Sequence, residues 1–225
     1  MISKSKPSLA VLALIAVAAG CALVASAGDE EAREPLVGGP TENGEAVFDG
    51  MPKTITSHSR IAPPDQPGEP LQIDGTVTWP TGEPAEGIIV YAYQTDAAGI
   101  YPPVDIATGT AGDRHGVLRG WTQTDAAGRY RFDTIRPGGY PGRSTPQHVH
   151  LHIIEPGRCT YYIDDLLFSD DPRLTDAVKQ DIVQHRAGAG VATPTKTGDT
   201  WHVTRDIELG KNIPDWPPRS REAVE

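Results

Sequence analysis

The chain has 225 residues, including 24 glycines and 21 prolines, and a formal net charge of -10 at pH 7. This length accommodates one large domain or two small ones. The acidic balance argues against a nucleic-acid partner, because nucleic-acid phosphates require a basic surface. Frequent glycine and proline, with few aromatic residues, favour a turn-rich β-domain with long loops.

Residues 1–27 have the composition of a signal peptide. A lysine-containing start precedes the apolar run 9–19, which is too short to span a bilayer comfortably. Cleavage after Ala27 would give a fully secreted or periplasmic protein, but the residues before Cys21 resemble the lipobox of bacterial lipoproteins. We therefore expect an exported protein attached to the membrane through a lipidated Cys21. Cys159 is the only other cysteine, so no disulfide within the mature domain is expected.

Two segments flank the predicted domain, which spans residues 71–210. Residues 28–70 are rich in glycine, proline, glutamate and aspartate and lack sustained periodicity, which predicts a flexible tether and N-terminal arm. The proline-rich residues 211–225 predict a C-terminal tail that either covers the domain or is disordered.

Alternation of apolar and polar residues predicts β-strands within the domain. These strands are 73–79, 87–93, 129–135, 161–168 and 200–209. The turn sequence Thr-Asp-Ala-Ala-Gly at 95–99 recurs at 124–128, which favours antiparallel hairpins. One helix is predicted within 170–185, with Thr175 as its N-cap and Gly188 at its end. The predicted fold is all-β, an antiparallel β-sandwich with long loops and one short helix.

Three histidines alternate along a further predicted strand, at positions 148, 150 and 152. Alternate residues of a strand point to the same face, so the imidazoles of His148, His150 and His152 would project together. Imidazole nitrogens bind transition metals, and Tyr140, eight residues before His148, would supply an anionic oxygen. The pattern predicts a metal site. The alternative is a polar strand face whose histidines meet solvent or backbone.

Residues 71–140 alone are also compatible with a non-catalytic extracellular module. Their strands and turns resemble carboxypeptidase-regulatory and transthyretin-like sandwiches, which serve as spacers or sugar-binding modules. In that interpretation Tyr130 and Tyr140 are packing residues. The fold by itself does not decide between the two interpretations, because one fold hosts many functions.

Four longer motifs distinguish the chain from such modules. They are Tyr101 shortly after the Ala-Ala-Gly turn, the string 118–143 with its Pro-Gly-Gly-Tyr-Pro-Gly-Arg, the Pro-Gln-His-Val-His at 146–150, and the Ile-Ile-Glu-Pro-Gly at 153–157. Together they resemble the intradiol ring-cleavage dioxygenases, the catechol and protocatechuate family, from about Ile73 to Leu209. The signal-peptide pattern and the Tyr-Pro-Gly-Arg form resemble the exported, single-domain branch of that family.

The resemblance implies a mononuclear, non-haem Fe(III) held by two tyrosinates and two histidines. Its ligands would be Tyr101, Tyr140, His148 and His150, with His152 beside the site. Phenolate oxygens suit ferric iron, which is a hard Lewis acid. The substrate would be a catechol-like aromatic, and Tyr140 would leave the iron on substrate binding and act as the internal base. With O2 as co-substrate, ring cleavage would give a muconate-type diacid carrying both oxygen atoms.

Departures from the family pattern concern the substrate pocket. Thr145 stands where larger relatives carry an arginine that points at the substrate, and Arg143 is close enough in sequence to replace its charge. Gln147 is a further predicted pocket residue. Asp164 and Asp165 lie where many relatives carry Thr-Thr-Gln, and a carboxylate there would repel an anionic substrate such as protocatechuate. The alternative for these two aspartates is a polar strand end.

Two other hypotheses remain beside the dioxygenase. One is a sugar- or protein-binding module that keeps the motifs by ancestry, and the other is a hydrolytic zinc site built on the same histidines. His115 is expected to line the mouth of the site, whereas Tyr91 and Tyr93 are predicted to be packing residues. Family members often form dimers or larger assemblies, which suggests a homo-oligomer.

Overall fold

A computed structural model describes residues 34–39, 44–104 and 108–217. The predicted signal peptide with Cys21 lies outside these residues, as does the end of the predicted tail. Among the helices within the described ranges, none has the length and apolar character needed to cross a membrane.

The described residues form eleven β-strands, one α-helix and two short 3-10 helices. The strands are β1 (His58–Arg60), β2 (Pro70–Thr78), β3 (Ile89–Gln94), β4 (Arg119–Gln123), β5 (Arg129–Ile135), β6 (His148–Glu155), β7 (Cys159–Phe168), β8 (Val191–Ala192), β9 (Thr195–Thr197), β10 (Thr200–Thr204) and β11 (Ile207–Glu208). The α-helix is α1 (Asp176–Ile182), and the 3-10 helices are Gly44–Phe48 and Ala111–His115. The predicted all-β fold with one short helix is confirmed.

Two sheets make up the sandwich. The first has the order β1-β5-β2-β10-β9, with β11 also beside β2, and the second has the order β4-β3-β6-β7-β8. The long strands pair antiparallel, as in β2 with β5 and β3 with β6. Parallel pairs join β1 to β5, β2 to β10 and β11, and β7 to β8, so both sheets are mixed. These parallel partners are far apart in sequence, which is why local alternation predicted only the antiparallel part.

The main core lies between the sheets and follows the alternation of the strands. Ile73 and Phe132 of the first sheet and Leu151 and Ile153 of the second are all at most 1% exposed. Burying each such side chain contributes about 1.5–3 kcal/mol. Because the odd-numbered residues of β6 face this core, its even-numbered residues, including the histidines, face the outer side of the second sheet.

Part of the predicted tether belongs to the domain, which corrects the boundary placed at residue 71. Strand β1 pairs with β5, and the 3-10 helix before it buries Val47 against Tyr91 on the outer face of the second sheet. Trp121 Nε1 donates to the Val47 carbonyl at 2.7 Å. Segments this short give too few alternating residues to be recognised in the sequence.

Residues 211–217 cover the domain rather than leave it. Ile213 is buried, and Trp216 Nε1 donates to Glu155 Oε1 at 2.7 Å. The guanidinium of Arg158 lies 5.3 Å from the ring centre of Trp79 and 5.1 Å from that of Trp216. Such cation–π contacts attach this segment to the sandwich.

Candidate metal centre

Two loops approach the outer face of the second sheet beside β6. The β3–β4 loop carries Tyr101, and the β5–β6 loop carries Tyr140. The loops are joined at their bases, because Thr95 Oγ1 donates to the Gly138 carbonyl at 2.8 Å and the Gly138 N–H donates to the Asp96 carbonyl at 2.7 Å. This pairing brings the two tyrosines to the same end of β6.

Glycine is required where these loops touch. A Cβ on Gly138 would lie 2.5 Å from the Gly99 nitrogen, and a Cβ on Gly99 would clash with the Gly139 carbonyl. Gly99 also has a φ of +82°, a left-handed conformation that favours glycine. The Ala-Ala-Gly and Pro-Gly-Gly-Tyr motifs therefore have a structural cause, since they allow two backbones to approach and so place two tyrosines together.

Four side-chain atoms converge on this face. They are the hydroxyls of Tyr101 and Tyr140 and the Nε2 atoms of His148 and His150, and we call them the donor cluster. Tyr101 Oη lies 2.7 Å from Tyr140 Oη and 2.9 Å from His150 Nε2. Tyr140 Oη lies 3.3 Å from His148 Nε2 and 3.5 Å from His150 Nε2, and the two Nε2 atoms are 3.1 Å apart. The structure thus brings together all four residues that the sequence predicts as ligands.

The second nitrogen of each imidazole has its own partner. His148 Nδ1 lies 2.7 Å from the Pro146 carbonyl oxygen, and His150 Nδ1 lies 2.9 Å from Asp165 Oδ1. Because a carbonyl and a carboxylate only accept hydrogen bonds, each Nδ1 carries the proton. Both Nε2 lone pairs then point into the donor cluster, an arrangement that a bound cation would stabilise.

Burial shifts the pKa of two members of the donor cluster, His148 and Tyr101. It lowers the pKa of His148, so this imidazole retains its lone pair. Burial, together with the hydrogen bond to Tyr140, raises the pKa of Tyr101 far above that of an exposed phenol. A positive ion would reverse the second effect, because nearby positive charge favours the phenolate.

A β-bulge in β7 determines what lies next to His150. The pairing of β6 with β7 shifts by one residue between Val149 and Leu151. At the shift, His150 faces two residues of β7, Asp164 and Asp165, instead of one. A bulge of this kind changes the direction of side chains at a functional site. Here it brings Asp165 to His150 and directs Asp164 toward the loop after α1.

Asp164 is not a pocket residue, and the prediction that it lines the substrate pocket is wrong. Its carboxylate accepts backbone hydrogen bonds from Gln184, His185 and Arg186 at 2.8 to 3.2 Å. These bonds hold the chain just after α1, which ends at Ile182 and therefore earlier than the sequence predicts. The N-cap is as predicted, since the side chain of Thr175 accepts from the N–H of residue 178.

Asp165 reaches the donor cluster through His150. Atoms of His148, His150 and Asp165 lie within 4.8 Å of one another, so this trio also has the spacing of a metal site. The Asp165 carboxylate, however, accepts the Nδ1 proton of His150, whereas the tyrosine oxygens lie with the two Nε2 atoms. Asp165 therefore contacts a candidate ligand, and its predicted place in the wall of the substrate pocket stays a prediction.

The other predicted pocket residues lie on the β5–β6 loop. Gln147 Oε1 accepts from Arg136 Nε at 2.8 Å, and its contact with substrate stays a prediction. The Thr145 carbonyl accepts from Arg173 Nη1 at 3.3 Å, and the Thr145 residue is half-buried. Arg143 is exposed on the same loop, and its contact with substrate stays a prediction.

Two further histidines lie behind the donor cluster. His115 Nδ1 is 2.8 Å from Tyr91 Oη, and the His115 ring stacks on Tyr93 with centroids 3.7 Å apart. Tyr93 also stacks on His150 at 4.4 Å. Burial lowers the pKa of His115 to about 4 and that of His152 to about 3. His152 is therefore a buried neighbour of the cluster, and His115 is buried behind it instead of lining its mouth.

The fold and the donor cluster define an all-β sandwich with a candidate metal centre of two tyrosines and two histidines. Residues 52–209 match the family model described as "Dioxygenase", which is well over half of the chain. The chain belongs to this family, the intradiol ring-cleavage dioxygenases.

Individual relatives agree with this assignment. The chain is 35% identical over 141 residues to catechol 1,2-dioxygenase 1 of Acinetobacter lwoffii, covering 54% of this chain and 44% of the relative. It is 31% identical over 112 residues to the protocatechuate 3,4-dioxygenase beta chain of Burkholderia cepacia, covering 48% of each. The chain spans about half the length of these curated relatives.

A solved structure shows the same fold. It is the dioxygenase domain of a dioxygenase and carbohydrate-binding protein fusion from the cellulolytic bacterium Streptomyces sp. SirexAA-E. The TM-score is 0.52 at 24% identity, and the match covers 71% of this chain and 91% of that one.

Proposed function

We propose that this chain is an exported, non-haem Fe(III)-dependent intradiol dioxygenase, held at the membrane through a lipidated Cys21. Its reaction would combine a catechol-like aromatic with O2 and give a muconate-type diacid that carries both oxygen atoms. The observation that carries the proposal is the donor cluster, in which two phenol oxygens and two unprotonated imidazole nitrogens meet at 2.7 to 3.5 Å.

The donor cluster suits a mononuclear ferric ion. A small metal ion binds nitrogen and oxygen at about 2 Å, so its ligands lie roughly 3 Å from each other. The separations within the donor cluster are of this size. Ferric iron prefers anionic oxygen, which tyrosinates supply, whereas a site of histidines alone would favour Fe(II). The names of the relatives, a catechol and a protocatechuate dioxygenase, support the same reaction class.

The residues of the site have separate tasks. Ferric iron held by Tyr101, Tyr140, His148 and His150 would supply Lewis acidity, which lowers the pKa of catechol hydroxyls and draws electron density from the ring. Tyr140 accepts a proton from a substrate hydroxyl, as the internal base. The two imidazoles keep their position throughout, because their Nδ1 protons are bonded to a backbone carbonyl and to Asp165.

The sandwich also protects the back of the site from water. Tyr93 stacks on His150, and His115 stacks on Tyr93 and bonds to Tyr91. His115, Tyr91 and His152 are each at most 4% exposed. Substrate and O2 must therefore approach from the loop side, where Tyr101 and Tyr140 lie.

The test is reconstitution of the purified protein with ferric iron, followed by absorption spectra and oxygen uptake. We expect a reddish tyrosinate-to-iron charge-transfer band and oxygen consumption with at least one member of a panel of catechols, hydroxyquinols and protocatechuate. Tyr140→Phe should weaken or shift the band and abolish turnover. Tyr130→Phe is the matched control, because its hydroxyl binds the Arg205 carbonyl inside the main core.

Two outcomes would contradict the proposal. A wild-type protein that stays colourless and iron-free after reconstitution would favour a non-catalytic binding module. A zinc-containing protein with hydrolytic activity and no oxygen uptake would favour a zinc site on the same histidines.

A further inference from the structure

The two histidines of the donor cluster are supported in different ways. His148 Nδ1 donates to a neutral acceptor, the Pro146 carbonyl, at 2.7 Å. His150 Nδ1 donates to a carboxylate, Asp165 Oδ1, at 2.9 Å. A carboxylate attracts the Nδ1 proton more strongly than a carbonyl, and so increases the electron density that the opposite nitrogen can donate.

Asp165 contacts His150 at a place that solvent can reach. The side chain of Asp165 is 36% exposed and that of His150 is 24% exposed. Water can therefore solvate the carboxylate oxygen that does not bind His150.

The orientation of the His150 ring is set from several sides. Tyr93 stacks on the ring at 4.4 Å with an interplanar angle of 21°, and His115 supports the far face of Tyr93 at 3.7 Å. Asp165 holds the Nδ1 edge of the ring at 2.9 Å, from the strand position beside the register shift of β7.

We propose that Asp165 is a positioning residue that fixes the Nδ1-protonated tautomer of His150 and makes its Nε2 the stronger of the two imidazole donors. This inference rests on the proposed function, because the donor strength of His150 acts on the bound ferric ion. A stronger donor stabilises the higher charge, so Asp165 favours Fe(III) over Fe(II) and sets the energy of the tyrosinate-to-iron transition.

The experiment compares ferric wild-type protein with Asp165→Asn and Asp164→Asn. Asparagine at 165 keeps the size and an accepting oxygen but removes the charge. We expect the affinity for Fe(III) relative to Fe(II) to fall 10- to 100-fold, the usual effect of removing an outer-shell partner. That change corresponds to a rise in reduction potential of about 60–120 mV, at 59 mV per tenfold for one electron. The charge-transfer band should move to lower energy.

Asp164→Asn is the matched control, because the neighbouring carboxylate binds only the backbone after α1. It should leave the band and the potential at their wild-type values. Asp165→Ser provides the same test if Asp165→Asn does not fold. Asp165→Glu keeps a carboxylate, so its band and potential should lie closer to the wild-type values than those of Asp165→Asn. Wild-type band and potential in Asp165→Asn or Asp165→Ser would overturn this inference alone. A wild-type protein that takes up no iron would overturn the proposed function and the inference together.

Discussion

Tyr101 Oη and Tyr140 Oη lie 2.7 Å apart although 39 residues separate the two tyrosines. Neither belongs to a strand, and their meeting depends on the joined bases of two loops, where Thr95 bonds to Gly138. Two buried phenols in contact make an unfavourable place for a phenolate, since burial and the neighbouring hydroxyl raise the pKa of Tyr101. A cation bound by both oxygens would remove this penalty, so metal binding and phenolate formation are coupled.

Tyr101→Phe should weaken the binding of ferric iron strongly while changing the stability of the metal-free protein little. It removes one oxygen of the donor cluster and a single hydrogen-bonded hydroxyl, so the free energy of unfolding of the metal-free protein should change by about 1 kcal/mol. Ferric affinity should fall by at least roughly 100-fold, because loss of an outer-shell partner alone costs up to about that much. Iron titration followed by absorption and urea unfolding measures both. Unchanged ferric affinity would show that Tyr101 is not a ligand.

Metal binding should raise the thermal stability of the protein. An ion that binds only the folded state stabilises it by about 2.7 kcal/mol at a free concentration of 100 times Kd. We expect the melting temperature to rise with added ferric iron and to return to its initial value with a chelator. His148→Gln should abolish the rise, whereas His202→Gln, which removes a histidine from β10 of the first sheet, should keep it. Equal responses in the two variants would contradict binding at the donor cluster.

Local patterns in the sequence reached part of this site. Strand alternation placed His148 and His150 on one face, and the structure confirms that face as the outer side of the second sheet. Tyr101 came only from the family resemblance, because the hydrogen bonds that join its loop to the loop of Tyr140 link residues about 40 positions apart. No local sequence pattern predicts that two loops so far apart in sequence are hydrogen-bonded to each other.

The bulge in β7 shows a second limit. The family resemblance suggests one role, the substrate pocket, for both Asp164 and Asp165. Adjacent residues of a regular strand point to opposite faces, but the sequence does not show which partner each of them meets. The extra residue in β7 gives each a different partner, a loop for Asp164 and His150 for Asp165. The N-terminal 3-10 helix was missed because its buried residues, such as Val47, are too few to form a periodic pattern.

Asp164→Ala should destabilise the fold without affecting the spectrum of bound iron. The carboxylate accepts three backbone N–H groups, which would lose a charged partner. Hydrogen bonds to charged groups contribute about 1.5–3 kcal/mol each, although the bonds of one group are not additive. We expect a loss of about 2–3 kcal/mol in urea unfolding. Asp181→Ala, an exposed aspartate of α1, should stay within about 0.5 kcal/mol. Equal effects of the two substitutions would contradict the assigned role of Asp164.

His115 should make the metal-free protein less stable in acid. Burial lowers its pKa to about 4, against about 6.5 in the unfolded chain. Between these values the unfolded state binds more protons than the folded state, so stability is lost as the pH falls from 6.5 toward 4. The loss from one such group is at most about 1.4 kcal/mol per pH unit.

His115→Gln should lower stability at pH 7, because it removes the contact with Tyr91, and should make the pH dependence shallower. Urea unfolding at pH 7, 6 and 5 measures both effects. An unaltered slope in His115→Gln would show that His115 is not held neutral in the folded protein.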